Sequence, residues 1–372
     1  QITQALPGVE SVDETISNIN IRGGTHDENL LLWDDIKMYQ SGHFFGLISA
    51  VNPDITKNVT IYKNGTNIRY GEGVSGVINM HPKNRISSET EAGIGFNLIN
   101  GNGYLDIPVS EKLGIQVAAR KSINHLWESP IYNNYTKRIF QDSEISNIEN
   151  TENNVALTTD ENFSFYDFSA KLLWDISEQD KVRINFLTID NSLDFTETLE
   201  INSQSKTSEL DQRSLLGGVS WNRLWNDNLE TTVLAYGTYY LLDAINKDIF
   251  TTQEQIQKNE VLETGAKLDA TIGLSQTIKF QTGYHFSEIG IANTQDVNLP
   301  RFRNYEKDVL RTHVLFAGLN YISINQKTSV FGGVRGNYFS KFDKILVEPR
   351  LSLNQKLGNG FAVEVLGELK SQ

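Results

Sequence analysis

An antiparallel transmembrane β-barrel, preceded by a small N-terminal α+β domain, is the mostly β fold class the sequence predicts. Three observations predict it. Apolar and polar residues alternate with period two in long runs beyond about residue 88. The connections between those runs are alternately short turns and long polar segments. The chain carries 18 Phe, 14 Tyr and 5 Trp among its 372 residues, a mixture that suits amphipathic strands.

The elements follow in chain order. Residues 1–83 have a mixed character. Gly23-Gly24, Asn52-Pro53, Asn64-Gly65 and the glycines at 71, 73 and 76 punctuate them with turn signals. Short apolar segments lie between, at Ile19–Ile21, Leu30–Trp33, Val59–Tyr62 and Val77–Met80, and these predict short strands. Phe44–Val51 predicts a short helix stopped by Asn52-Pro53. The expectation for residues 1–83 is a compact α+β domain.

Residues 84–372 follow a different grammar. In Leu262–Ile272, Leu262, Thr264, Ala266, Leu268, Ala270 and Ile272 share one face; Glu263, Gly265, Lys267, Asp269 and Thr271 share the other. Tyr166, Phe168, Ala170, Leu172 and Trp174 likewise oppose Asp167, Ser169, Lys171 and Leu173. His285 falls on a polar face of Ile278–Ser287. Short turns are expected at Ser177–Asp180, Asn226–Asn228, Ser275–Thr277, Asn325–Thr328 and Gly358–Gly360. Long loops are expected at Asn124–Asn162, Asp190–Lys206, Asp243–Lys258 and Gly290–Lys307. About 13 strands fit between residues 89 and 372, many of nine residues or more, and a tilted crossing needs about 9–11. A soluble all-β domain is the alternative; its strands average about 5–6 residues and its loops are short.

Composition excludes several functions. With no Cys, disulfide frameworks, thiolate metal sites and Cys nucleophiles are out. Lys+Arg number 33 against 46 Asp+Glu, which is no footprint for nucleic acid. The 6 His include no i, i+4 pair and no H-E-x-x-H, so no metal is expected. The Gly71–Gly76 stretch lacks the Lys-[Ser/Thr] ending of a phosphate loop. Ser75 does not sit in G-x-S-x-G, so no nucleophile elbow is supported. No enzyme activity and no cofactor are expected.

Four pieces of the first 83 residues occur in register: Ile21-Arg22-Gly23-Gly24; Asn29–Ile36 followed by Tyr39-Gln40-Ser41-Gly42-His43; Asn52–Ile55 with Val59–Gly65; and Arg69-Tyr70-Gly71-Glu72-Gly73-Val74-Ser75-Gly76-Val77-Ile78-Asn79. Together they resemble the plug domain of TonB-dependent outer-membrane receptors. Arg69-Tyr70-Gly71 and the glycines after it are most similar to the ferric-citrate-receptor branch. Glu348-Pro349-Arg350-Leu351-Ser352-Leu353 resembles a barrel-strand region of the same family.

The resemblance implies the following expectations. Residues 1–83 are a plug truncated at its N-terminus, and 84–372 are part of a larger barrel of about 22 strands. The chain is then an internal piece of a longer receptor, without signal peptide or energy-coupling box. The implied function is capture of a scarce ligand, foremost a ferric siderophore or other ferric chelate. Import into the periplasm is driven through a TonB-type partner. A glycan importer working with a surface lipoprotein and a passive channel are the alternatives. Implied surroundings are the lipid and lipopolysaccharide of a Gram-negative outer membrane.

The same resemblance implies a plug–barrel lock formed by Arg22 and Arg69, with Glu348 and Glu364 as partners. Arg's planar fork suits a carboxylate. Ligand contacts are expected from the plug apex, at Tyr39, Gln40, His43, Phe44 and Phe45, and from loops, at Trp127, Tyr132, Tyr135, Arg301 and Arg303. Phe44 and Phe45 have packing inside the plug as their alternative role. Arg301 and Arg303 suit an anionic chelate or lipopolysaccharide phosphates equally.

Overall fold

The structure, a computed structural model, describes residues 9–11, 19–124, 129–141 and 157–371. The N-terminal domain contains β1 (Val9–Ser11), β2 (Ile19–Ile21), β3 (Asn29–Trp33), β4 (Ile36–Lys37), β5 (Gly42–His43), β6 (Ile48–Ser49), β7 (Thr56–Tyr62) and β8 (Gly76–Pro82). Its main sheet has the order β4-β3-β8-β7, with β3 and β8 parallel and the outer pairs antiparallel. The apolar segments read from the sequence form β2, β3, β7 and β8. The helix expected over Phe44–Val51 is a single 3-10 turn, Phe44–Gly46, followed by β6. Only one turn of helix fits, because the apolar side chains here face the neighbouring wall rather than one side of a helix.

Thirteen strands form the second sheet: β9 (Glu91–Phe96), β10 (Asn100–Ser110), β11 (Leu113–Ser122), β12 (Leu157–Asp175), β13 (Asp180–Leu199), β14 (Gln204–Asn226), β15 (Leu229–Lys247), β16 (Glu254–Gly273), β17 (Ile278–Val297), β18 (Phe302–Ile322), β19 (Thr328–Phe339), β20 (Lys344–Gly358) and β21 (Phe361–Glu368). Every neighbour in sequence pairs antiparallel, as in an up-and-down wall, and β9 and β21 are the two outer strands.

Strand parity gives the wall two faces. On β12 the outward residues run Trp174, Leu172, Ala170, Phe168, Tyr166, and the inward ones are Leu173, Lys171, Ser169, Asp167, Phe165. Trp174 and Tyr166 are eight positions apart, about 26 Å of strand. Only apolar residues stand between them. An aromatic-bounded apolar band about 25 Å tall is what lipid requires of a barrel. Above that band β13 continues with Asp190, Ser192, Asp194 and Thr196 outward, and Leu193 and Phe195 inward and buried.

The long strands correct the loop expectation. β12 to β18 have 19 to 23 residues each, about 60–75 Å when extended. Most of Asp190–Lys206, Asp243–Lys258 and Gly290–Lys307 is therefore strand, with turns only at 200–203, 248–253 and 298–301. Above the apolar band the outward face turns polar while residues such as Leu193 and Phe195 stay buried on the inward face, so the apolar-outward alternation ends while the pairing does not. The connection after β11 holds a helix, α1 (Pro130–Gln141). Ser129 caps it, its Oγ accepting the Tyr132 N–H at 3.0 Å, and Pro130 opens its first turn. Among the described residues no helix is long and apolar enough to cross a membrane, which says nothing of strands.

The outward band yields a prediction. Phe186 points outward halfway between Val182 and Asp190 on β13 and is 37% exposed. Phe186→Arg is expected to destabilise the protein in bilayers by about 2–4 kcal/mol, the midplane cost of Arg on a lipid face. The inward neighbour Leu187 is packed against the N-terminal domain instead. Urea unfolding in lipid vesicles measures the effect, and a change below 1 kcal/mol counts against lipid at this face.

Candidate functional site

The functional candidate is the seam between the N-terminal domain and the inward face of the wall. It begins with apolar burial. Trp33, Ile36, Met38, Ala50 and Val51 pack on Leu187 and Ile189 of β13, Leu216 of β14, and Leu234 and Tyr236 of β15. Nearer the long-connection rim, Phe44, Leu47 and Ile48 join Phe163 and Phe165 of β12, Leu193 and Phe195 of β13, and Tyr132 and Ile139 of α1. Tyr132 and Ile139 lie seven residues apart, two turns on one helix face.

Polar groups inside these contacts are paired. His43 is fully buried; its Nδ1 faces the Asn191 Oδ1 and its Nε2 lies 3.1 Å from the Asp167 carboxylate. Arg120 Nε donates to the same Asp167 oxygen at 2.7 Å, and its Nη2 donates to the Ser49 carbonyl. Burial holds the His43 imidazole below its ordinary value, against the pull of Asp167 and Asn191. The Asp34-Asp35 turn between β3 and β4 has positive φ at both residues. Asp34 accepts bonds from Lys171 Nζ and Asn185 Nδ2, each at 2.7 Å. Burial raises the Asp34 carboxyl, but His81 and Lys171 outweigh it and hold the group below the ordinary carboxylate range.

On the other side of the domain the seam is mostly polar. Tyr39 Oη and Tyr236 Oη donate to the two oxygens of Glu263, each at 2.6 Å. Arg69 donates to Asp269 at 2.6 Å, and Asp269 also meets His285 at 2.7 Å. Arg335 reaches the Arg69 carbonyl at 2.8 Å and Arg350 the Asn67 carbonyl at 2.7 Å. A Cβ on Gly71 would stand 2.6 Å from the Arg335 guanidinium, so glycine allows this approach. Glu368 receives the Thr66 N–H at 2.9 Å.

This geometry revises the expected site. Arg69 does reach the wall, but its partner is Asp269. Arg22 is exposed and donates within its own domain, to the Lys63 carbonyl and Asn64. Glu348 pairs with Arg350 of its own strand at 2.9 Å, and Glu364 is exposed on β21. The wall supplies arginines as well as carboxylates, so Glu348 neutralises a wall charge before any from the domain. The expected apex is not open. Tyr39 bonds Glu263, Gln40 bonds Gln212 at 3.2 Å, His43 bonds Asp167, and Phe44 packs on Phe163. Tyr132 is buried, exchanging bonds with the Phe163 backbone, and Tyr135 packs at the edge of the same cluster.

Arg301 and Arg303 stand exposed at the β17–β18 tip, and Arg301 meets Asp296 at 2.8 Å. Trp127 lies outside the described residues, as does the side chain of Phe45. Asp167, Arg120, Asp269, Arg335 and Arg350 were not anticipated as site residues. The usable signal was parity: Asp167, Lys171, Lys267 and Asp269 all fall on inward faces at the depth of the apolar band. A charge there needs a partner.

With this geometry established, comparison with known proteins adds three findings. Residues 1–78 match the family model of the TonB-dependent receptor plug domain. No curated protein matches the chain in sequence. Several solved structures share the fold. A mutant of the ferric enterobactin receptor PfeA of Pseudomonas aeruginosa, in complex with enterobactin, aligns with a TM-score of 0.64 at 16% identity, covering 98% of this chain and 58% of that one. The siderophore receptor PirA of Pseudomonas aeruginosa gives 0.66 at 14% identity, over 98% and 56%. The outer membrane transporter YddB of Escherichia coli gives 0.63 at 10% identity, over 96% and 56%. The chain thus spans less than three-fifths of the length of these structures. The N-terminal segment carries the plug domain of TonB-dependent receptors, as its motifs predict, and the antiparallel sheet has the receptor wall fold.

Proposed function

We propose that the chain is the plug and part of the barrel of a TonB-dependent outer-membrane receptor that imports a ferric siderophore or other ferric chelate. Residues 1–83 act as the plug and 84–372 as the wall. The observation that carries this reading is the seating of the plug. It fills the inward face with two apolar clusters and a set of buried ion pairs, an arrangement of no use to an open pore. Solved proteins of this fold include receptors for siderophores, which supports the cargo class. The apolar outward band supports a membrane setting, with lipopolysaccharide as the outer neighbour.

Ligand contact falls to surfaces above the plug, since Tyr39, Gln40, His43 and Phe44 are occupied by the wall. Arg301 and Arg303 at the exposed β17–β18 tip are the cationic candidates there, with Tyr135 at the margin of the α1 cluster. Such guanidinium groups suit an anionic chelate.

Energy coupling is tested in cells carrying the natural protein. Uptake of iron-55 supplied as ferric enterobactin is expected to stop when the TonB-type partner is deleted, while surface binding of the same probe persists. Uptake that continues at the undeleted rate would overturn coupled transport. Absence of both binding and uptake would overturn this cargo.

A further inference from the structure

The plug meets the wall with two chemistries, and the difference bears on how it yields. Toward β12–β15, residues 44–51 sit on the apolar side chains of Phe163, Phe165, Leu187 and Leu193, with the buried pairs of His43 and Asp34 beside them. Toward β16–β20 the contact is polar, built from the Arg69–Asp269 pair and the reach of Arg335 and Arg350 to plug carbonyls. One cavity, about 380 Å³, opens on the short-turn side and runs beneath the apolar clusters from Arg183, Asn222 and Thr232 of β13–β15 to Asp269 and His285 of β16–β17. Another, about 80 Å³, lies on the side of the long connections and is lined by Glu72, Ser287 and Thr312. Arg69, Tyr70, Lys267 and His285 line both cavities. Arg69 therefore stands where the two cavities adjoin, and its partner Asp269, 2.6 Å away, lines the lower one.

A third cavity, about 750 Å³, separates β7 from β9–β11. It shares no lining residue with the upper cavity. Above it the plug is closed onto the wall by Arg120, His43 and Phe44. The polar seam is thus the side on which chambers approach each other from both rims.

Parting the two sides has different consequences. Polar cavities of this size admit water, so groups released along the polar seam exchange protein partners for water at small net loss. Parting the other side exposes aromatic and aliphatic clusters to water with nothing in return.

We propose that the passage opens along the polar seam between plug residues 69–72 and β16–β19, with Arg69–Asp269 as its bar, while residues 44–51 stay docked on β12–β15. The inference rests on the plugged-importer reading above. It gives the passage a definite side and a definite closing contact.

The test uses K⁺ current through the natural protein in planar lipid bilayers and needs no knowledge of the cargo. The wild type is expected to be closed. Arg69→Ala and Asp269→Asn are each expected to raise the current about ten-fold or more, as a widened polar constriction would. Asp54→Ala, which removes the 2.6 Å contact between Asp54 and Asn102 of β10, is expected to leave it unchanged. The chain contains no Cys, and any Cys elsewhere in the natural protein is replaced by Ser, so that the introduced thiol alone is labelled. In the Arg69→Ala background a bulky maleimide on Asn222→Cys should shut the current, and the same label on Gln116→Cys, in the third cavity, should not.

Silent Arg69→Ala and Asp269→Asn variants with a silent wild type would overturn the seam alone. So would a current stopped from position 116 and not from 222. A wild type that already conducts at the variants' level would overturn both readings, because nothing is then closed. Should Arg69→Ala fail to reach the membrane, the near-isosteric Asp269→Asn decides, and it also carries the labelling pair.

Discussion

Asp167→Ala is expected to cost about 3–5 kcal/mol, the usual penalty for removing one partner of a buried ion pair. Asp167 is 3% exposed, and its carboxylate is the only one among the described residues that pairs with the buried Arg120 and His43. Its loss leaves the Arg120 guanidinium, 7% exposed, with the Ser49 carbonyl as its hydrogen-bond partner and the Phe165 ring 5.7 Å away. Arg120 belongs to the wall and Ser49 to the plug, so the penalty falls on docking as well as on the wall. Asp167→Asn should lose less, because it keeps an acceptor. The double replacement Arg120→Met with Asp167→Leu should recover much of the loss, since it removes both charges together. Urea unfolding of the natural protein in detergent measures each variant. An Asp167→Ala protein within 1 kcal/mol of wild type would overturn the assignment.

His43 adds a pH dependence with a definite sign. Burial lowers its folded-state pKa, whereas an unfolded His takes up its proton near about 6.5. Between those two values the unfolded chain binds more protons than the folded one. Stability from this group is therefore full above about 6.5 and declines as pH falls toward the folded-state value. His43→Asn should flatten that part of the profile.

Much of this architecture was legible in the sequence because the physics behind it is local. Alternation along Leu262–Ile272 placed Leu262 and Leu268 outward and Glu263 and Lys267 inward, and the structure has them so. The thirteen strands and the short turns on one rim follow from the same period. The strand extensions above the apolar band were not legible, because the outward face turns polar there and breaks the apolar-outward period while leaving the backbone ladder intact. Helix α1 was missed although Ser129-Pro130 is a start signal. Its short, mixed pattern lay inside a polar connection.

The seam was only half legible. Motifs identified the plug and singled out Arg69, yet pairing is a property of three dimensions. Asp269 is 200 residues away from Arg69, and no spacing rule links the two. The sequence shows that Glu348 and Glu364 lie on the inward parity of their strands. It does not show that Arg350 claims the first, nor that the second stays exposed. Tyr39–Phe44 read as an apex because aromatics beside Ser41-Gly42 look like a loop. The wall strands β12, β13, β14 and β16 rise past them and cover what the local pattern leaves open.

That covering makes Phe44 the most informative apolar position. It is 1% exposed, with its ring centroid 4.9 Å from Phe163 in an edge-on contact and 5.9 Å from Phe165. Phe163 in turn stacks on Tyr132 of α1 at 4.2 Å. Phe44→Ala should therefore cost about 3–5 kcal/mol, because the aromatic cage around it is braced by strands and cannot collapse into the void. If the ring packed within the plug, the loss would appear in the plug alone and be indifferent to the wall. Since its partners are wall residues, Phe44→Ala and Phe163→Ala should couple in a double-mutant cycle by about 0.5–1.5 kcal/mol, the worth of an aromatic pair beyond its area. Unfolding in detergent gives the cycle, and limited proteolysis of residues 1–83 reports whether the plug has loosened. A coupling of zero with an unloosened plug would place Phe44 in the plug's own core and remove the anchor on which one-sided opening depends.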